Sequence, residues 1–206
     1  MTYQAQTPIN TDIWAVSADL PTLRKKLLDL FCQLAYQEGD FVLSSGQPSS
    51  YYINGKQVTL HPQGALAIGR TLLSLLPPAT TQAVAGLTLG ADPIVSAVSV
   101  VSAYEHRPIP ALIIRKEAKG HGTKAYIEGP NLPAGANVIV LEDVVTTGQS
   151  AMKAVERLRA ADYTVNQVIS LVDRQQGGAE FYESVGLNFQ AIFTISEIQE
   201  RYKQLL

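Results

Sequence analysis

Short apolar runs recur along the chain, separated by longer stretches in which apolar residues fall at helical spacing. Residues 1–18 are polar and uneven and read as a loose arm. Asp19 then stands where a helix N-cap would, ahead of Leu23, Leu27, Leu30, Phe31 and Leu34, with Gly39 as the predicted stop. Phe41-Val42-Leu43 and Tyr51-Tyr52-Ile53 predict two short strands around the turn Ser45-Gly46-Gln47-Pro48. A helix is predicted from about Pro62 to Leu76, stopped by Pro77-Pro78. Ala83–Gly86 is the next strand, Pro93 opens a small-residue helix through Val95, Val98 and Val101, and Ala111–Ile114 is another buried strand. After a polar stretch, Arg115–Gly129, the pattern gives a strand at 138–141, a helix over Ala151–Ala161 and a strand at 168–172 ending in Asp173-Arg174. A short helix, a strand over Phe189–Ile195 and a polar helix follow.

Strands that read as unbroken apolar runs and alternate with helices predict a mainly parallel sheet covered on both faces. No repeat or linker interrupts the pattern. The expected organisation is an arm at 1–18 and a single α/β domain over 19–206, with a small N-terminal hood from about 19–60 and a core from about 61–206.

Composition narrows the classes. The chain has 206 residues, 46% hydrophobic and 17% charged, enough for one substantial core. A net charge of -2 provides no basic field for nucleic acid. No apolar run approaches the roughly 20 residues that span a bilayer, and the first residues lack the basic start and apolar stretch of a signal peptide. Cys32, the only cysteine, lies in an apolar helical stretch and reads as core. A cytoplasmic setting is expected. One Cys and three His argue against a Cys/His zinc site.

Residues 138–151 carry the strongest chemical signal. Four apolar residues are followed by Glu142 and Asp143, two apolar residues, and Thr146-Thr147-Gly148-Gln149-Ser150 turning into a helix. Such a turn aims backbone N–H groups at an anion, and the helix dipole adds to the attraction. An acidic strand end or a Thr/Gly helix cap is common by itself; the joint pattern is rare. It is not a Walker A loop, since no Gly-Lys-Ser/Thr follows, nor a dinucleotide fingerprint. A phosphate cradle beside two carboxylates suits a ligand with both phosphate and ribose hydroxyls.

Ligands of open parallel sheets sit beyond the carboxyl ends of the strands. Gly86-Leu87-Thr88-Leu89-Gly90, Arg115-Lys116, Glu142-Asp143 and Asp173-Arg174 all fall there. The second constellation is Arg115-Lys116-Glu117-Ala118-Lys119-Gly120-His121-Gly122-Thr123-Lys124, with four cations, a His and two glycines in ten residues. Most charge runs are solvated surface. Beside a phosphate cradle, this one suits a lid over a charged substrate.

The 138–151 run resembles the signature of the type I phosphoribosyltransferases, which use phosphoribosyl pyrophosphate (PRPP). Arg-Lys-Glu-x-Lys-x-His-Gly is similar to the catalytic loop of the orotate phosphoribosyltransferase family. Residues 41–54 look like its orotate-binding hairpin, and Leu171-Val172-Asp173-Arg174-Gln175 like its late strand. The four motifs come in the family's order, from about residue 20 onward.

The resemblance implies the type I phosphoribosyltransferase fold and formation of orotidine 5′-monophosphate and pyrophosphate from orotate and PRPP, a late step of pyrimidine synthesis. It implies Mg²⁺ as cofactor, with no assured direct protein ligand and Glu142 and Asp143 as the nearest candidates. PRPP would lie on Glu142, Asp143, Val144, Val145, Thr146, Thr147, Gly148, Gln149 and Ser150. Orotate would lie on Tyr52, Ile53, Thr146 and Arg174. Lys119, His121, Lys116 and Arg115 would act on the departing pyrophosphate. A homodimer with active sites shared between subunits is implied, with no nucleic-acid or membrane partner. Two positions depart from many members: Ser44 stands in place of a lysine, and the stretch Gly86–Pro93 has no cation. Lys56 and the backbone N–H groups at Gly90 and Ala91 are the candidate replacements. The alternatives are a phosphoribosyltransferase for another base and a PRPP-sensing regulator on the same fold.

Overall fold

The computed structural model describes residues 13–42, 46, 48–119 and 126–206. Ser44, His121 and the rest of the Gly120–Ala125 segment lie outside the described residues.

A helical turn, α1 (Trp14–Ser17), occupies the end of the expected arm. Ala15 is fully buried, and Arg70 Nη1 donates to the carbonyls of Ala15, Val16 and Ala18 at 2.9, 3.1 and 2.9 Å. A long-range guanidinium thus fixes a segment that has no helical pattern of its own. Helix α2 (Leu20–Leu30) starts as expected: the Asp19 carboxylate accepts from Thr22 N at 2.9 Å. It passes into a π-helical turn, Phe31–Ala35. The expected run to Gly39 fails because strand β1 (Tyr36–Val42) takes over at Tyr36. Tyr36 stacks on Tyr51 at 5.9 Å and meets Tyr202 edge-on at 5.0 Å, so tertiary packing overrides helical spacing there. β1 pairs antiparallel with β2 (Pro48–Ile53), with a bulge between Glu38 and Phe41. A short helix, α3 (Lys56–Thr59), follows the hairpin.

The main sheet has six strands. They are β3 (Ala83–Leu87), β4 (Ala111–Ile114), β5 (Ile127–Glu128), β6 (Val138–Val145), β7 (Gln167–Asp173) and β8 (Asn188–Thr194). Their order is β5-β4-β3-β6-β7-β8, parallel except for the edge strand β5. The helices are α4 (Pro62–Leu75), α5 (Asp92–Tyr104), α6 (Gln149–Ala160), α7 (Gly178–Ser184) and α8 (Ile195–Leu205).

Alternate residues of the same strands serve two cores. Val84, Ile139 and Leu141 pack with α2, α4 and α5 on one face. Ala83, Ala85, Val138 and Val140 pack with Ala151, Ala154 and Leu158 of α6 on the other. Burial on both faces explains the continuous apolar runs, and the α/β fold with a mainly parallel sheet is as expected. No described helix is long and apolar enough to cross a membrane.

One boundary matters for function. β6 does not stop at Leu141; it runs eight residues, to Val145. β3 pairs with it only as far as Val140, whereas β7 continues to pair with it at Glu142, Val144 and Val145. The carboxylates therefore sit within a strand that is held on one side and open on the other.

Candidate active site

At the carboxyl end of β6, Val144 to Ala151, Glu142 and Tyr182 line a hollow with about 270 Å³ of empty space. Gly148 caps α6 with φ of 83°, and no side chain supplies a cap hydrogen bond to the first turn. The first-turn amides of a helix have no partners within the helix. Here the residues that carry them line the hollow together with Thr146 and Thr147, so the loop suits a phosphate. A side chain at Gly148 would be strained by φ and would also meet Phe181 and Tyr182, its Cβ lying 2.8 and 3.0 Å from ring atoms. The loop is held from beneath: the Tyr182 hydroxyl donates to Gly148 O at 3.0 Å. Tyr182 is fully buried, and burial, then the charges of Glu142 and Asp173, push its phenol well above the usual range. Nothing in the local pattern around Tyr182 pointed to this support, which comes from 34 residues away.

Glu142 and Asp143 play different parts. Glu142 is only 6% exposed, and its Oε2 is buried without a hydrogen-bond partner. Burial first, then the negative charge of Asp143, raise its pKa well above the ordinary carboxylate value, while the charge of Lys116 works in the opposite direction. Asp143 is partly exposed and accepts from its neighbour Val144 N at 2.8 Å. Its carboxylate lies against the loop after β3: a Cβ at Gly90 would stand 2.8 Å from Asp143 Oδ1. That loop has a cis peptide between Thr88 and Leu89, and the Thr88 hydroxyl donates to Asp92 Oδ2 at 2.7 Å. Lys56 borders a hollow together with Leu89 and Asp92, so a cation does stand beside the Gly86–Pro93 stretch.

Arg174 follows β7 and is 8% exposed. Its Nε donates to the Tyr51 hydroxyl at 3.1 Å, and its guanidinium lies 4.8 Å from the Tyr51 ring centroid. Its Nη2 is buried with no partner. A buried guanidinium with a spare donor suits a carboxylate or a carbonyl edge. The hairpin residue that meets it is Tyr51, which the sequence reading passed over. Ile53, two residues on, packs with the main core. Tyr52 is 43% exposed and its ring packs on Phe41 at 5.6 Å, so the structure does not bring that ring to Arg174. Strand alternation held the signal: Tyr51 shares its face with Ile53, and Tyr52 does not.

Of the seven buried side-chain atoms without a partner among the described residues, four belong to Asn54, Asp92, Glu142 and Arg174, all at this end of the sheet. Among the described residues no cluster of three or more His, Cys, Asp and Glu gathers around a metal-sized point.

The basic stretch leaves β4 at Arg115. Arg115 Nη1 pairs with Glu128 Oε1 at 3.2 Å, and Lys119 Nζ lies 3.8 Å from the same oxygen. Lys119 is largely exposed, and Lys116 acts electrostatically on Glu142.

No family model matches the chain. The orotate phosphoribosyltransferase of Nostoc sp. is 80% identical over 205 residues, which cover 100% of this chain and 99% of that protein. That of Synechocystis sp. is 71% identical over 188 residues, 91% of this chain and 94% of the relative. Among solved structures, Mycobacterium tuberculosis orotate phosphoribosyltransferase in complex with PRPP superposes with a TM-score of 0.72 at 33% identity, covering 86% of this chain and 99% of that one. The site geometry and these relatives agree: the chain belongs to the orotate phosphoribosyltransferase family.

Proposed function

We propose that this chain transfers the phosphoribosyl group of PRPP to orotate, giving orotidine 5′-monophosphate and pyrophosphate. The single observation that carries the reading is the uncapped α6 loop beside a buried arginine with a spare donor: a phosphate cradle and an anion clamp at the ends of the paired strands β6 and β7. The loop amides from Thr146 to Ser150 bind the 5′-phosphate, and Glu142 and Asp143 accept from the ribose hydroxyls. Arg174, oriented by Tyr51, holds orotate; Thr146 borders the base. As the C1–O bond breaks, the sugar becomes cation-like and negative charge gathers on pyrophosphate. Lys116, Lys119 and Arg115, with His121, stabilise that charge. Orotate is already anionic, so positioning and electrostatics account for most of the catalysis.

Mg²⁺ fits this donor set. Glu142 Oε2 is a buried hard oxygen with no partner, Asp143 is a partly exposed carboxylate, and Mg²⁺ prefers few protein ligands together with waters and substrate phosphates. When bound, it supplies positive charge to the pyrophosphate oxygens. Lys56 replaces the lysines missing at Ser44 and near Gly90; an unchanged PRPP KM in Lys56→Ala would rule this out. The homodimer reading is supported by exposed apolar side chains, Leu60 at 68%, Leu89 at 73% and Val100 at 71%, beside Pro93. The setting is cytoplasmic.

The test follows the ultraviolet absorbance of orotate with PRPP and Mg²⁺, with adenine, hypoxanthine and uracil run in parallel. Orotate consumption that needs both PRPP and Mg²⁺ is expected. Turnover of another base instead, or PRPP binding with no turnover, would replace the reading with a different transferase or a PRPP sensor.

A further inference from the structure

Arg157 lies in α6, eight residues beyond Gln149. Its Nη1 donates to the carbonyl of Arg115, its Nη2 donates to that of Lys116 at 2.9 Å, and its guanidinium lies 4.1 Å from the centroid of Tyr126. Arg115 N in turn donates to Tyr126 O at 2.8 Å. One half-buried side chain therefore grips the strand end where the basic stretch departs and the chain where it returns. The planar guanidinium, with five N–H donors in a fixed fork, can bond two successive carbonyls, which a point-charge ammonium does less well.

The same helix opens on the phosphate loop at Gly148. At 1.5 Å rise per residue, about 12 Å of rigid helix separates the cradle from the clamp. The 5′-phosphate and the pyrophosphate are the two charged ends of PRPP. We propose that Arg157 is a positioning residue: through the main chain of Arg115 and Lys116 it fixes those two cations relative to the phosphate cradle, so that they meet the leaving pyrophosphate. This rests on the reaction proposed above.

The test is steady-state kinetics of Arg157→Ala and Arg157→Lys, with Arg159→Ala as control. Arg159 lies on the same helix but bonds Val165 O at 2.6 Å. Both Arg157 variants should lose roughly 10–100-fold in kcat, the scale of a small misplacement of catalytic groups, with the orotate KM within about twofold of wild type. Arg159→Ala should match wild type. Arg157→Lys keeps a cation over Tyr126 and so reads the same loss if Arg157→Ala does not fold. In a Lys116→Ala background, Arg157→Ala should cost much less than it does alone, because residues acting as a unit are non-additive. An unchanged kcat, or the same factor lost in both backgrounds, overturns the proposal. Absence of orotate turnover by the wild type overturns the underlying reaction instead, so the two failures are distinguishable.

Discussion

Replacing Glu142 by Gln should make the free protein more stable and a poorer catalyst. Glu142 is buried, carries a buried oxygen with no partner and sits next to Asp143. Gln keeps the shape and removes the charge. Removing the burial penalty of that charge beside Asp143 is worth about 1–3 kcal/mol where Glu142 is ionised. In a domain of this size, about 1 kcal/mol moves Tm by roughly 2–4 °C, so a rise of roughly 2–12 °C is expected. The pH dependence has a fixed sign. Because the folded-state pKa is raised, the folded protein holds a proton that the unfolded chain has already released. The stability that Glu142 contributes is therefore complete below the ordinary carboxylate range and is lost as pH rises through the folded value. The Tm advantage of Glu142→Gln should grow as pH rises above the ordinary carboxylate range. Thermal melts of both proteins without substrate measure it. PRPP affinity should fall roughly 10–150-fold, the equivalent of about 1.5–3 kcal/mol for a hydrogen bond to a charged group. A variant that melts lower than wild type throughout, or a Tm difference that does not change with pH, would refute the reasoning. The trade is one expected of a site residue strained for binding.

Other outcomes follow from the same geometry. Gly90→Ala would put a methyl 2.8 Å from Asp143 Oδ1, so its kcat/KM for PRPP should fall at least about tenfold while the fold survives. Lys119→Ala should lower kcat by about 10²-fold, by analogy with losing one preorganised donor. Its exposed pair with Glu128 at 3.8 Å is worth little, so Tm should move by no more than the equivalent of about 0.5 kcal/mol.

The parts of the fold that were legible in the sequence are those governed by local periodicity. The strands at 83–86, 111–114 and 168–172 and the helix after Pro62 lie close to where the pattern puts them, because apolar runs and Pro boundaries act locally. The α6 loop was legible because Gly148 and the hydroxyl residues around it are contiguous. The misses share a cause. β1 begins at Tyr36 because of rings at Tyr51 and Tyr202, and β6 runs on through its carboxylates because β7 pairs with them. The Tyr182 support and the Arg157 clamp join residues 34 and 42 positions apart. β5 has two residues, too short for any period to register. Tyr51's place beside Arg174 was readable from strand parity, since it shares the face of the core-facing Ile53.

The most direct test of the central claim is the ratio of kcat/KM for orotate to that for uracil, in wild type and in Arg174→Gln. Uracil lacks the carboxylate that Arg174 is proposed to hold. A site with a buried, hydrogen-bonding clamp rejects a substrate lacking the matching group by roughly 10⁴-fold or more. The wild-type ratio should be of that order, and Arg174→Gln should collapse it mainly by losing orotate turnover. A wild type that uses uracil as well as orotate, or a variant that keeps the full preference, would contradict the account.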